Sequence, residues 1–133
     1  MVKSSTGGAK KLTVLIIDND EFLVRTYQTK LQREGFEVRV VLDSVEVTSL
    51  INREPPALVL LSLELKGMSS LEILKSIKNN DNWKTVPMIV ISNILESETL
   101  TEAENLGVVD KIVLTSDKVQ DVIIKVKKYA KSL

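Results

Sequence analysis

The sequence predicts a single doubly wound α/β domain, a parallel sheet with helices on both faces. Three observations carry that reading. Short runs of Val, Ile and Leu alternate with amphipathic segments five times along the chain. The runs are almost continuously apolar, as strands covered on both faces must be. Glycine and proline fall between the two kinds of segment, where chain punctuation belongs. Five strand-then-helix units in succession require crossovers, and right-handed crossovers build a parallel sheet.

The elements follow in order. Leu12–Ile17 is the first strand, and a helix over 20–34 follows, closed by Gly35. Phe36–Leu42 alternates, with Glu37 and Arg39 on one side, as an edge strand does. A helix over 44–53 leads to Pro56 and the third strand, Leu58–Leu61. After a helix over 69–79, Trp83 lies in the polar loop Asn-Asn-Asp-Asn-Trp-Lys-Thr, where it is expected to cover the sheet's edge rather than bind a ligand. Pro87 precedes the fourth strand, Met88–Ile91, and Gly107 closes a helix over 97–106. Val108–Leu114 is the fifth strand. In the last helix, 117–131, Val119, Val122, Ile123, Val126 and Ala130 recur at helical spacing as one buried stripe. Residues 1–11 are rich in Ser, Gly and Lys and are expected to form a flexible tail before a domain over 12–133.

Composition removes whole classes of function. At 133 residues, with 44% apolar and 27% charged side chains, the chain can bury a full core. Lys plus Arg balances Asp plus Glu at 18 each, so no global field favours nucleic acid or a membrane surface. With no cysteine there is no disulfide framework or thiolate metal site, and with no histidine the commonest general base and metal ligand are missing. No secretory h-region and no bilayer-length apolar run occurs, so the expected setting is the cytoplasm.

Ligands of an open parallel sheet bind at the carboxyl ends of the strands. Those ends carry Asp18, Asn19 and Asp20 after the first strand, Ser62 after the third, Ser92 after the fourth and Leu114 after the fifth. No Gly-x-Gly-x-x-Gly follows the first strand and no P-loop motif occurs, so a nucleotide-binding enzyme is not expected. Asp-Asn-Asp-Glu would repel a phosphate, and it equally makes a good helix start, with Asp18 or Asn19 as cap and Asp20 and Glu21 at the positive end of the dipole.

The stretch LTVLIIDNDEFLVRTYQTKLQREGFEV resembles the opening of bacterial response-regulator receiver domains. PPALVLLSLELKGMSSLEILKSIK is similar to their third strand and following helix, and VPMIVISN with AENLGVVDKIVLTS to the remainder. The resemblance runs from about Leu12 to the C-terminus and implies a flavodoxin-like sheet of order 2-1-3-4-5 in two-component (phosphorelay) signalling. In that family an acidic pair after the first strand binds Mg²⁺, an Asp ending the third strand takes the phosphoryl group, and a Thr or Ser and a Lys ending the fourth and fifth hold its oxygens. Asp18 matches the first acid and Ser92 the Thr/Ser. Asn19 stands at the second acid, Ser62 at the acceptor, Leu114 at the Lys, and Thr115 at the Pro that follows it. Lys66 and Ser70 replace a Pro and a Gly of the turn after the third strand, with Gly67 retained, and Lys111 stands at the aromatic switch position.

Each departure removes a different part of the chemistry. Of the family's three carboxylates only Asp18 is kept. Mg²⁺ gives up water reluctantly, so weak or absent Mg²⁺ binding is expected. A serine hydroxyl without a base or metal is a poor nucleophile, and satisfying backbone groups at a strand end is the plain role for Ser62 and Ser92. Leu114 is expected to plug the emptied site. The chain thus resembles a degenerate pseudo-receiver, not an enzyme, that binds a histidine kinase, a response regulator or itself independently of phosphorylation. Two alternatives stand beside it: a response regulator with atypical acceptor chemistry at Ser62 or Asp20, and a small-ligand sensor using the vacated pocket. The face that the family uses for partners spans the fourth helix, fifth strand and fifth helix. Here it offers Glu98 and Glu102 on one helix, Lys118, Lys125, Lys128 and Ile124 on the other, and Lys111 between, which would let two copies pair by charge. No DNA-binding motif follows the last helix, so nucleic-acid binding by this segment is not expected.

Overall fold

The computed structural model describes residues 11–43, 45–65 and 69–130. Met1–Lys10, Lys66, Gly67 and Lys131, on which sequence readings fell, lie outside them. Strands and helices alternate throughout: β1 (Thr13–Ile17), α1 (Glu21–Arg33), β2 (Glu37–Val41), α2 (Val45–Leu50), β3 (Leu58–Ser62), α3 (Ser70–Lys78), β4 (Met88–Ser92), α4 (Glu98–Asn105), β5 (Asp110–Val113) and α5 (Val119–Tyr129). The sheet is wholly parallel and ordered β2-β1-β3-β4-β5, as the resemblance implied. Strand order reverses between β1 and β3, which is where such a sheet opens a crevice at its carboxyl edge.

Alternation along each strand sorts the apolar side chains into two cores. Leu15, Ile17, Val59, Leu61, Met88 and Val90 pack with residues of α2, α3 and α4. Val14, Ile16, Leu58, Leu60, Ile89 and Ile91 pack with residues of α1 and α5. Every residue of β3 and β4 is buried, which explains their unbroken apolar sequence, whereas edge strand β2 is exposed to half-buried over four of its five residues. Gly35 and Gly107 take φ of 94° and 96°, a conformation that favours glycine, and there they turn the chain out of α1 and α4. Among the described residues no helix is long and apolar enough to cross a membrane.

Two expectations are corrected. Helix α2 ends at Leu50 rather than 53, because Asn52 and Arg53 tighten onto Ser49 and Leu50 carbonyls three residues back. Trp83 does not cover the sheet's edge. It is wholly buried in the core beneath α2, α3 and α4, and its indole Nε1–H donates to the Arg53 carbonyl at 3.1 Å. Asn80 Nδ2 likewise donates to the Ile51 carbonyl at 3.3 Å, so the residues after α3 complete the end of α2.

Candidate functional site

Strand β1 carries Asp18 to the carboxyl edge, where its N–H still donates to the Val41 carbonyl at 3.1 Å. The side chain is 4% exposed, and Oδ1 accepts the Asp20 N–H at 3.0 Å. Burial pushes the Asp18 carboxyl above its ordinary value. The Asp20 and Glu64 charges add to that push, and backbone N–H groups of Asp20 and Asn19 oppose it. Because Asp18 is still tied to the sheet, the helix begins later than expected. Asp20 is the cap of α1, its Oδ1 accepting the Leu23 N–H at 3.1 Å. Asn19 Nδ2 donates to the Leu42 carbonyl at 3.3 Å, bracing the turn against the end of β2. On the buried face of α1, the Tyr27 hydroxyl is pushed up to about 12, first by burial and then by the Asp18 and Asp117 charges.

Ser62 ends β3 at 4% exposure. Its Oγ accepts the Glu64 N–H at 3.1 Å, and its carbonyl accepts the Ser70 hydroxyl at 2.6 Å, which pins the start of α3 to the strand. Ser92 is spent on its own turn: Oγ donates to the Ile94 carbonyl at 2.8 Å and accepts the Ile94 N–H at 3.3 Å.

Five of the six residues read as one pocket do line one: Asp18, Asn19, Asp20, Ser62 and Leu114 surround a cavity of about 330 Å³. Ser92 is not among its lining residues, because its hydroxyl turns into the loop; its neighbours Ile91 and Asn93 line the cavity instead. Leu114 closes one side as an apolar wall, the place the sequence reading gave it.

At the family's own positions Asp18 remains the single carboxylate, but the cavity takes in others. Glu64 lines the same cavity, and its Oε1 accepts the Asn93 N–H at 2.8 Å. Glu64 lies two residues past a strand end, where sequence alone gives it no place in the site; the Ser62 hydroxyl folds that turn and brings it back over the cavity. Three carboxylates, Asp18, Asp20 and Glu64, therefore line the space with no Lys or Arg among its lining residues. They are dispersed by their own bonds to the Leu23 and Asn93 N–H groups. Among the described residues no three acidic side chains are grouped so as to hold a metal ion.

The second surface singled out by the sequence is only partly as expected. Glu98 and Glu102 are exposed on α4, beside a groove of about 750 Å³ that also reaches Glu104 and Lys111. Lys111 Nζ lies 3.5 Å from Glu104 Oε2, so the switch position holds an ion pair to α4. Ile124 is 57% exposed, and Lys118 and Lys128 are exposed, Lys128 lying 5.1 Å from the Tyr129 ring centre. Lys125 does not belong with them. It turns inward, 3.5 Å from Asp110 and 3.7 Å from Asp117, and donates to the Lys111 carbonyl at 2.5 Å, because the carboxylate that opens β5 and the one just before α5 both draw it in.

Comparison with known proteins agrees with the fold over most of the chain. The family model for the response regulator receiver domain matches residues 14–124. A putative response regulator described as NtrX-like, from Rickettsia typhi, is 31% identical over 107 residues; the match takes in 77% of this chain but 22% of that protein. Sporulation initiation phosphotransferase F of Bacillus subtilis is 26% identical over 117 residues, 87% of this chain and 91% of that one. Among solved structures, the chemotaxis response regulator CheY4 of Vibrio cholerae superposes with a TM-score of 0.81 at 16% identity, covering 90% of this chain and 99% of that one.

Proposed function

The chain belongs to the response regulator receiver family, and from that premise we propose that it is a pseudo-receiver, which passes its signal by binding another protein and not by accepting a phosphoryl group. Receiver domains are the signalling modules of two-component response regulators, and this is one of them. The observation that carries the finer reading is Ser62. It stands where the resemblance puts the acceptor Asp, is almost wholly buried, and has its oxygen engaged by the Glu64 N–H. That oxygen meets a backbone N–H, a group that can give a proton and not take one. The three carboxylates around it are bonded to different backbone groups, and weak or absent Mg²⁺ binding follows from their dispersal.

The partner class is a histidine kinase, a response regulator or a second copy, in the cytoplasm. The surface offered is α4, β5 and α5, with Glu98 and Glu102 exposed on α4 and Lys118, Ile124 and Lys128 exposed on α5. An apolar centre between charged rims is the ordinary anatomy of such an interface. Acetyl phosphate or beryllofluoride with Mg²⁺ tests the reading. Unchanged mass and unchanged amide NMR shifts are expected. An acid-labile mass gain, or Mg²⁺-dependent shifts at Asp18, Ser62 and Ser92, would overturn it.

A further inference from the structure

Strand β2 is one margin of the sheet: it pairs with β1 alone, and no described strand lies beyond it. The Glu37 N–H donates to the Leu12 carbonyl and the Val41 carbonyl accepts from Asp18, so the odd-numbered residues turn their backbone groups inward to β1. By the alternation of a strand, Val38 and Val40 turn theirs outward. The side chains alternate too. Phe36, Val38 and Val40 pack on the α1–α5 side, while Glu37 and Arg39 lie on the other, where both border one surface hollow.

Read outward from Val38, one residue before the strand's midpoint, this edge is complementary in charge to its own reverse. About Val38, Glu37 on one side mirrors Arg39 on the other, and Phe36 mirrors Val40. We propose that β2 pairs with β2 of a second copy, antiparallel about a two-fold axis at Val38, giving a continuous ten-stranded sheet. In that register the Val38 residues exchange both backbone bonds, and the outward Val40 N–H meets the Phe36 carbonyl of the other copy. Glu37 falls directly opposite Arg39 of the other copy, twice by symmetry, at the closer, non-hydrogen-bonded positions. Phe36 comes opposite Val40, which borders a small hollow between α1 and β2. An isologous contact needs such self-complementarity.

The inference is independent of the α4–β5–α5 reading, since β2 and β5 are opposite margins of the sheet and a β2 dimer leaves that face open. Five residues bury less than a standard interface does, so the dimer is weak and concentration-dependent. Sedimentation up to millimolar protein tests it in the full chain. Wild type is expected to dimerise, with amide shifts and added exchange protection centred on Val38 and Val40. Glu37→Arg and Arg39→Glu singly place like charges opposite each other, and each should weaken dimerisation roughly tenfold. The double variant E37R/R39E, and an equimolar mixture of the two single variants, should restore it. A strict monomer, a dimer indifferent to the single reversals, failure of both rescues in folded protein, or shifts centred on α4 and α5 would each overturn the proposal.

Discussion

Glu64 Oε1 accepts the Asn93 N–H at 2.8 Å, so a side chain from the loop after β3 holds the loop after β4 across the mouth of the pocket. The same carboxylate is one of the charges that raise the Asp18 carboxyl, and burial is the larger cause. Glu64→Gln should therefore lower the Asp18 titration midpoint while leaving it above an ordinary aspartate. Carboxyl ¹³C NMR against pH reads this directly.

Asp18 also predicts a pH dependence of stability. Its folded value lies above its unfolded one, so the native state holds the proton more tightly. That contribution is fully present below the ordinary aspartate range and is lost as pH rises through the folded value. Asp18→Asn keeps an oxygen for the Asp20 N–H and removes the buried charge. Its melting temperature should exceed that of wild type at neutral pH, and the gain should shrink on acidification.

Rebuilding the pocket is the constructive counterpart. With Asn19→Asp, Ser62→Asp and Leu114→Lys together, the family's acids and lysine are restored on an unchanged frame. Isothermal titration should then show Mg²⁺ binding and Mg²⁺-dependent beryllofluoride binding well above that of the wild-type chain.

Trp83 should act as a keystone of the lower core. Trp83→Ala is expected to cost about 3–5 kcal/mol, and Trp83→Phe about 1–3 kcal/mol through loss of the bond to the Arg53 carbonyl. Urea denaturation measures both. As the one tryptophan in the chain, it should itself report wild-type unfolding by a red shift of its emission.

Lys125 and Lys128 should separate cleanly. Lys125→Met leaves Asp110 and Asp117 without their shared cation and should destabilise by about 1–2 kcal/mol. Lys128→Ala on the exposed side of the same helix should stay within about 0.5 kcal/mol. Denaturant midpoints distinguish the two.

Fold and site differ in how plainly they stand in the sequence. Buried parallel strands declare themselves as apolar runs such as Leu58–Leu61, and the stripe Val122, Ile123 and Val126 declares its helix, because burial acts on every residue of such an element. Asp18, Asn19, Ser62 and Leu114 were legible because strand ends converge by topology. Glu64 was not, since its place depends on a turn folded by one hydroxyl. Lys125 looked like a surface charge because helical spacing says nothing of two carboxylates arriving from outside the helix. Trp83 was misplaced for the same reason: a polar local sequence surrounds a side chain whose environment comes from distant segments.

The end of α2 has a temporal consequence. The carbonyls of the turn that follows it, at Ile51 and Arg53, are met by side chains 29 and 30 residues further along the chain. A six-residue helix is too short to persist alone. It is therefore expected to form only once α3 and the loop behind it have docked, after the folding barrier. Substitutions at Val47 or Leu50 should accordingly hasten unfolding and leave the refolding rate almost untouched.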